Sequence, residues 1–442
     1  MVEKGTVAFF HPFADGGGGG ERVLWCAVKA VQEAYPACKV LIYAREGVTE
    51  EQLVNEAKDR FNVHIEQPFQ VVPLALSHLL HPERYPRFTL LRQAIASTRV
   101  GYEALSKVVP EVYIDTTGWA FPYPLAWAAG SRVAAYVHYP FISPDMLSRV
   151  WNRTTLGDET DIIESPVKSL AKLLYYCIMS VLYGCCGAFS SVNMVNSSWT
   201  QAHIRNVWLA SPEPVLVYPP ADTTELQQLP LDRKLKRLFL VSVNQFRPEK
   251  NHRLQLQAYA MARDQAGPNA SGAAVRASRL VLVGGCRNDA DAARIAELQS
   301  YAADLGVGAS VEWAVNCPYP EMKALLGGAV GGLHTMVDEH FGISVVEYMA
   351  AGVIPIAHNS GGPRADIVVP LLSEDGGEQI TGFLATSVAE YAEAITTVLA
   401  MDQRDRLTLA AAAQKQAARF STERFMASFK TAVGPLMDQT QA

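Results

Sequence analysis

At 442 residues the chain is too long for one ordinary core, so two domains are expected. About half of it is apolar (49%) and 19% is charged, a globular composition that excludes a disordered chain. The net charge of −6 speaks against a nucleic-acid binder, and seven cysteines without a C-x-x-C pair exclude a disulfide framework and point to a reducing compartment.

Glu3 and Lys4 run directly into the strand-like TVAFF, so no signal peptide is expected at this end. Next comes HPFADGGGGGERVLW, residues 11–25, five consecutive glycines ahead of a helical run. Glycine weakens any helix or strand it enters, so a run at a strand-to-helix junction implies close approach to the backbone. A phosphate-binding P-loop requires G-K-[ST] here, where Glu21 and Arg22 stand. A dinucleotide fingerprint fails at its third glycine, although Glu46 is placed as a ribose-binding acid would be. A phosphate-bearing ligand held by amides at the helix N-terminus is the third reading, and a plain turn is the fourth.

The strand-like KVLIYAR, FQVVPL, EVYIDTT, RVAAYVHYP, MVNSS and PVLVYPP follow, separated by helix-length segments. That alternation is the mark of parallel βα units buried on both faces. Within this half, 84–107 is basic (Arg84, Arg87, Arg92, Arg99, Lys107) and could meet anionic lipid or simply be solvated. Residues 170–185 carry an apolar helical stripe of Leu170, Leu173, Leu174, Cys177, Ile178, Val181, Leu182 and Cys185. This stripe is expected to pack on the core, leaving Lys172, Tyr175, Tyr176, Met179 and Tyr183 to suit a membrane interface; a fully buried helix is equally compatible. Asn152, Asn196 and Asn269 open glycosylation sequons, which carry no meaning in a reducing compartment.

Residues 223–237 are polar and read as a linker, after which the βα rhythm restarts with LFLVSVNQF, RLVLVGG, SVEWAVN, AVGGLHTM and VIPIAHN. The fold class is therefore α/β with two Rossmann-like, doubly wound parallel-sheet domains: 1–222, then 238–402 beyond the linker, with helices over 403–442 expected to pack back on the first domain. Segment 263–279 lacks periodicity and reads as a surface insertion. Ligands of doubly wound sheets bind at the carboxyl ends of the strands, and the motifs fall there. Arg247 and Lys250 follow the first strand of the second domain; a planar fork and a point charge together suit a pyrophosphate, or are two solvated charges. Asp289 and Asp291 form a D-x-D, a metal signature in some transferases, but they open a helix, where acids belong for dipole reasons. Glu339 and Glu347 are eight apart, about 12 Å along a helix, too far for a hydrolase pair but suited to two contacts on an extended ligand. The Gly342 and Ile343 amides would open that helix toward an anion, and Glu347, among Val345, Val346 and Tyr348, needs a partner such as a ribose diol.

The FRPEKNH stretch and Glu339-HFGISVV-Glu347 resemble the signatures of retaining GT-B glycosyltransferases, two Rossmann-like domains facing a cleft. HPFADGGGGGERVLW, YVHYPFISPDML, MVNSSWT, VNQFRPEKNH, VGGCRN and DEHFGISVVEYMAAGVIPIAHNSGGP resemble, more narrowly, the α-1,2-mannosyltransferase family of dolichol-linked oligosaccharide assembly. The resemblance spans about residues 5 to 430. It implies transfer of mannose from GDP-mannose to a dolichol-pyrophosphate oligosaccharide, as its fourth and fifth mannoses, at the cytosolic face of the endoplasmic reticulum. The first domain would take the acceptor and the second the nucleotide sugar, with no metal or other cofactor and no nucleic acid. The membrane surface and other mannosyltransferases of the pathway would be partners. Gly18 and Gly19 would lie under the donor phosphates or the acceptor end, and His138 would approach the mannose, unless it is a core histidine. Arg247 and Lys250 would hold the pyrophosphate, Glu339 the mannose hydroxyls and Glu347 the ribose. Relatives often carry a hydrophobic anchor before the first strand; here attachment would fall to the internal helix, a partner, or residues outside this form. Rival readings are a GT-B enzyme for another nucleotide sugar or acceptor, a non-catalytic subunit with a degenerate site, and a dehydrogenase.

Overall fold

The structure is a computed structural model that describes residues 1–142, 146, 166–232, 238–372 and 376–440. The sequon at Asn152, part of the YVHYPFISPDML stretch and the end of the expected linker lie outside the described residues. The chain divides into two compact units, residues 1–220 with 423–442, and residues 221–422.

The first unit runs β1 (Glu3–Phe10), α1 (Gly19–Ala34), β2 (Lys39–Arg45), α2 (Glu50–Phe61), β3 (Gln70–Leu74), α3 (Thr89–Lys107), β4 (Pro110–Asp115), α4 (Tyr123–Ala128), β5 (Arg132–Val137), α5 (Pro166–Gly187), β6 (Val192–Val195), α6 (Ser198–Val207) and β7 (Val215–Leu216). The strands form one sheet of order β3-β2-β1-β4-β5-β6-β7, with every pair parallel. Helices cover both faces, which is why Val7–Phe10 and Val40–Ala44 are buried without alternation. Val7, Phe9 and Ile42 face a core shared with α1, whereas Ala8, Phe10, Leu41 and Tyr43 face one shared with α3, α4 and α5.

The second unit runs α7 (Thr223–Gln227), β8 (Phe239–Val243), α8 (His252–Asp264), α9 (Ala270–Ala277), β9 (Arg279–Gly284), α10 (Asp289–Asp304), β10 (Val311–Val315), α11 (Tyr319–Gly328), β11 (Gly331–His334), α12 (Ile343–Ala350), β12 (Ile354–His358), a short ribbon of β13 (Leu371–Leu372) and β14 (Glu378–Gln379), β15 (Phe383–Ala385), α13 (Val388–Ala400) and α14 (Gln403–Ala417). Its main sheet has the order β10-β9-β8-β11-β12-β15, again parallel. A last helix, α15 (Thr422–Met437), returns to the first unit and buries Phe425, Phe429, Val433 and Met437 beside α1.

Three sequence expectations change. Residues 403–442 do not move together: α14 stays in the second unit, with Leu409 and Ala413 buried and Gln414 Nε2 donating to Ala350 O at 3.1 Å. Segment 263–279, expected as a surface insertion without periodicity, stays mostly at the surface but carries a helix. Asn269 caps α9 by accepting from Gly272 N–H at 2.8 Å, and Val275 enters the core; at eight residues the helix is too short to show its period. The third change is α5, whose faces are reversed. Met179 and Tyr183 are buried, and Tyr175 and Tyr176 pack against the same core, whereas Leu170, Leu174, Cys177, Ile178, Val181, Leu182 and Cys185 are exposed. The helix is apolar almost all round, so periodicity shows that it has two faces without showing which one the core takes. Aromatic partners decide: Tyr183 donates to Gly118 O at 2.9 Å and its ring meets Phe121, Phe141 and Trp208.

Candidate active site

In each sheet the strand order reverses once, between β1 and β4 in the first unit and between β8 and β11 in the second. Loops leaving the carboxyl ends of those strands diverge and open a crevice. The glycine run leaves β1, Arg247 and Lys250 leave β8, and Glu339 leaves β11.

In the first unit Gly18 caps α1, and its N–H donates to Glu21 Oε2 at 2.6 Å. Glu21 Oε1 lies 3.4 Å from His11 Nε2, and His11 Nδ1 is 2.7 Å from Thr116 Oγ1 beyond β4. Burial raises the Glu21 carboxyl, but the His11 hydrogen bond and charge and the Gly18 amide outweigh it, so it lies below its ordinary value. A Cβ on Gly16 would sit 2.8 Å from the Glu21 carboxylate, and one on Gly18 would sit 3.0 Å from it. The glycines thus make room first for a carboxylate of their own helix. His138, one residue past β5, comes to the same place: a Cβ on Gly20 would be 3.6 Å from its Nε2. His138 is half-buried, its ring centroid 4.9 Å from Tyr136, and its carbonyl accepts from Asn196 Nδ2 at 2.8 Å. The structure thus brings together Gly18, helix residue Gly19 and His138, and adds His11 and Glu21, which sequence reasoning passed over.

In the second unit Lys250 Nζ bonds to Glu339 Oε2 across 89 positions of sequence. The same oxygen lies 3.1 Å from His334 Nε2, and Oε1 accepts from the His340 amide at 3.2 Å. Burial raises the Glu339 carboxyl, but the His334 hydrogen bond and the Lys250 charge overcome it and hold the group ionised, well below the usual carboxylate range. Lys250 is placed by Thr335, whose hydroxyl donates to Lys250 O at 2.8 Å, and Gln255 Nε2 in turn donates to that hydroxyl at 2.9 Å. Arg247 stands half-exposed on the same loop, 3.8 Å from Glu249.

Gly342 takes φ +109 where α12 begins, turning the chain so that the Glu339 side chain lies beside the helix N-terminus; a Cβ there would be 3.5 Å from Glu339 Cγ. Ile343 is the first residue of α12, and Glu347, half-buried, lies one turn further. Tyr348 fixes the helix on the sheet: its hydroxyl accepts from Val243 N at 2.6 Å and donates to Leu333 O at 3.3 Å, at the ends of β8 and β11. The NSGG loop after β12 packs backbone to backbone against 338–341. Gly362 N–H donates to Glu339 O at 2.7 Å, and a Cβ on Gly361 would lie 2.2 Å from that oxygen. His334 and Gly361 escaped sequence reasoning; the signal for the first is a histidine ending a strand five residues before Glu339. Asp291 of the D-x-D is committed elsewhere, accepting from Arg287 Nε at 2.9 Å and Arg287 Nη2 at 3.3 Å. Among the described residues no group of three or more histidines, cysteines and carboxylates is placed to hold a metal.

Two parallel doubly wound sheets, each with charged loops at its reversal point, are the architecture shared by GT-B glycosyltransferases. Sucrose-phosphate synthase from Thermosynechococcus elongatus shares the fold, with TM-score 0.67 and 17% identity over 98% of this chain and 99% of that one. So does Anabaena HepE in complex with UDP and glucose, with TM-score 0.60 and 17% identity over 98% and 100%. Residues 4–208 match the family described as ALG11 mannosyltransferase N-terminus, and 224–416 match glycosyl transferases group 1. Proteins named GDP-Man:Man(3)GlcNAc(2)-PP-Dol alpha-1,2-mannosyltransferase are 44% identical in Xenopus tropicalis, over 98% of this chain and 88% of that protein. In Homo sapiens the figures are 44%, 98% and 87%. The chain belongs to this family of alpha-1,2-mannosyltransferases.

Proposed function

We propose that the chain transfers mannose from GDP-mannose, with retention of configuration, in α-1,2 linkage to a dolichol-pyrophosphate-linked trimannosyl oligosaccharide. The observation that carries this is 44% identity over 98% of the chain to relatives named for that reaction, in a chain whose Lys250 and Glu339 converge at a sheet reversal point. As the bond between the anomeric carbon and the β-phosphate oxygen breaks, positive charge grows on the sugar and negative charge on the diphosphate. Lys250 and Arg247 stabilise the diphosphate, helped by the Gly342 and Ile343 amides; charge fixed in place before the reaction usually lowers a barrier more than any other effect. Glu339, held ionised, accepts from mannose hydroxyls while Lys250 turns to phosphate; Glu347 takes the ribose diol. In the first unit Gly18, Gly19 and His138 meet the sugar or the incoming acceptor. The acceptor hydroxyl bonds to the anomeric carbon on the face the diphosphate leaves, and its proton passes to the departing phosphate oxygen. With Lys250 and Arg247 carrying the leaving charge and Asp291 committed to Arg287, the reaction runs without a metal. The enzyme works at the cytosolic face of the endoplasmic reticulum membrane, beside other mannosyltransferases of the pathway; the lipid-linked acceptor supports that setting.

The test is transfer of radiolabelled mannose from GDP-mannose to the lipid-linked trimannosyl acceptor in EDTA. Transfer persists in EDTA, and Glu339→Gln lowers it by about 10²–10³, the usual cost of one transition-state contact. Loss of transfer in EDTA would remove the metal-free step; a Glu339→Gln enzyme as active as the parent would remove Glu339 from the site.

A further inference from the structure

Lys250 and His334 reach the same oxygen of Glu339. Lys250 Nζ bonds to Oε2, and His334 Nε2 lies 3.1 Å from it. An ionised carboxylate accepts and never donates, so Nε2 carries a hydrogen and donates. The two donors are held very differently. Thr335 fixes the Lys250 backbone carbonyl, but Nζ stands at the end of a flexible stem, in a side chain that is 21% exposed. It also meets a weak acceptor, Met336 Sδ, at 3.2 Å. His334 ends β11 with its side chain 1% exposed, and its carbonyl accepts from the buried Tyr391 hydroxyl at 2.9 Å. Lys250 is free to swing, and His334 is not.

The far side of the His334 ring adds a second observation. Nδ1 is buried and has no hydrogen-bond partner among the described residues. A buried polar nitrogen left unpaired weakens a fold, and a phenyl ring would fill the space without that cost. What the imidazole supplies in return is the hydrogen bond from Nε2. Burial lifts the Glu339 carboxyl; the His334 hydrogen bond does most to pull it down, ahead of the Lys250 charge. Glu339 can therefore lose Lys250 and keep a donor at Oε2, with the His340 amide still on Oε1 at 3.2 Å. A diphosphate carries more than one negative charge, so it competes with a single carboxylate for the ammonium group. A buried carboxylate stripped of its cation is costly unless other donors hold it.

We propose that the Lys250–Glu339 pair is the resting form of this site and that the donor's diphosphate draws Lys250 away. His334 is the positioning residue that then holds Glu339, while a mannose hydroxyl takes the place at Oε2 that Lys250 leaves. This deepens the proposed function and rests on its assignment of Lys250 to the diphosphate.

The test is a double-mutant cycle on the full chain, read as GDP affinity by calorimetry. Glu339→Gln frees Lys250, so GDP binds about fivefold more tightly than to the parent, although transfer falls. His334→Phe leaves Glu339 dependent on Lys250, so GDP binds about tenfold more weakly, the ordinary worth of a hydrogen bond to a charged group. Added to Glu339→Gln, the same His334→Phe change moves GDP affinity by less than about twofold, because no carboxylate remains to be held. A ring that merely filled space would weaken GDP equally in both backgrounds. His334→Gln, whose amide can stand in for Nε2, recovers most of the loss. If His334→Phe loses its native circular dichroism, His334→Leu takes its place, and the Glu339→Gln arm reads the resting pair without either. The proposal is overturned if Glu339→Gln binds GDP no more tightly than the parent, if the His334 change costs the same in both backgrounds, or if the parent binds no GDP. Mannose transfer to the lipid-linked trimannosyl acceptor is measured on the same parent protein. If the parent transfers and the cycle is additive, the proposed function stands and the hand-over falls. If the cycle couples and the parent transfers nothing, the hand-over stands and the acceptor assignment falls.

Discussion

At the scale of single residues, the Lys250–Glu339 pair of the second unit is held by groups placed behind it. Gly361 has φ +59 and leaves no room for a Cβ against Glu339 O. Gly361→Ala must move the loop that carries Glu339, so it costs about 1–3 kcal/mol of stability and lowers transfer more than about tenfold. Thermal melting and an assay on the folded fraction separate the two effects. His252 lies behind Lys250 and stacks on Phe246, with ring centroids 5.2 Å apart. Burial, then the Lys250 charge, pushes its imidazole down to about 4. Unfolded, the group titrates near 6.5, so the unfolded chain binds the extra proton first. Its contribution is fully present above about pH 6.5 and is lost as pH falls toward 4, roughly 3 kcal/mol in all. Urea melts across that window show the loss, and His252→Phe flattens it. Glu339 acts in the same sense over a more acidic window: its carboxyl is depressed, so its contribution holds above the ordinary carboxylate range and fades only in stronger acid.

At the scale of elements, α15 is the most informative. It lies at the far end of the sequence yet places Phe425, Phe429, Val433, Leu436 and Met437 in the core of the first unit, and Gln439 beyond it accepts from Arg132 Nη1 at 2.9 Å. At about 1.5–3 kcal/mol for each buried side chain, its removal costs about as much as an ordinary domain's whole stability of 5–15 kcal/mol. A chain ending at Thr422 is therefore expected to lose protease resistance across residues 1–220 while 239–420 stays resistant; mass mapping of a limited digest reads this directly. The α5 helix makes the complementary point. Its stripe was legible in sequence, but the side given to the core was not, because aliphatic and tyrosine-rich faces are both apolar and only neighbours such as Trp208 and Phe121 choose between them.

For the molecule as a whole, the βα rhythm, two parallel sheets and the strand-end placement of Lys250 and Glu339 followed from short apolar runs and their spacing. The nucleotide chemistry is expected at the β8/β11 reversal, so GDP should protect backbone amides over 243–251 and 334–347. At a hundred times its dissociation constant it raises the free energy of local opening there by about 2.7 kcal/mol. Hydrogen exchange followed by mass spectrometry measures this, and unchanged exchange in both stretches would take the nucleotide out of the second unit. The sequence by itself determined fold class, domain number and the residue types at each strand end, since these depend on periodicity within a few turns of chain. Only the tertiary structure decided that Lys250 and His334 share the Glu339 carboxylate, that Glu21 fills the space the glycines leave, that Val275 of α9 enters the core, and which face of α5 is bare. Each depends on strand order and on packing between segments tens of residues apart, and no local pattern encodes that.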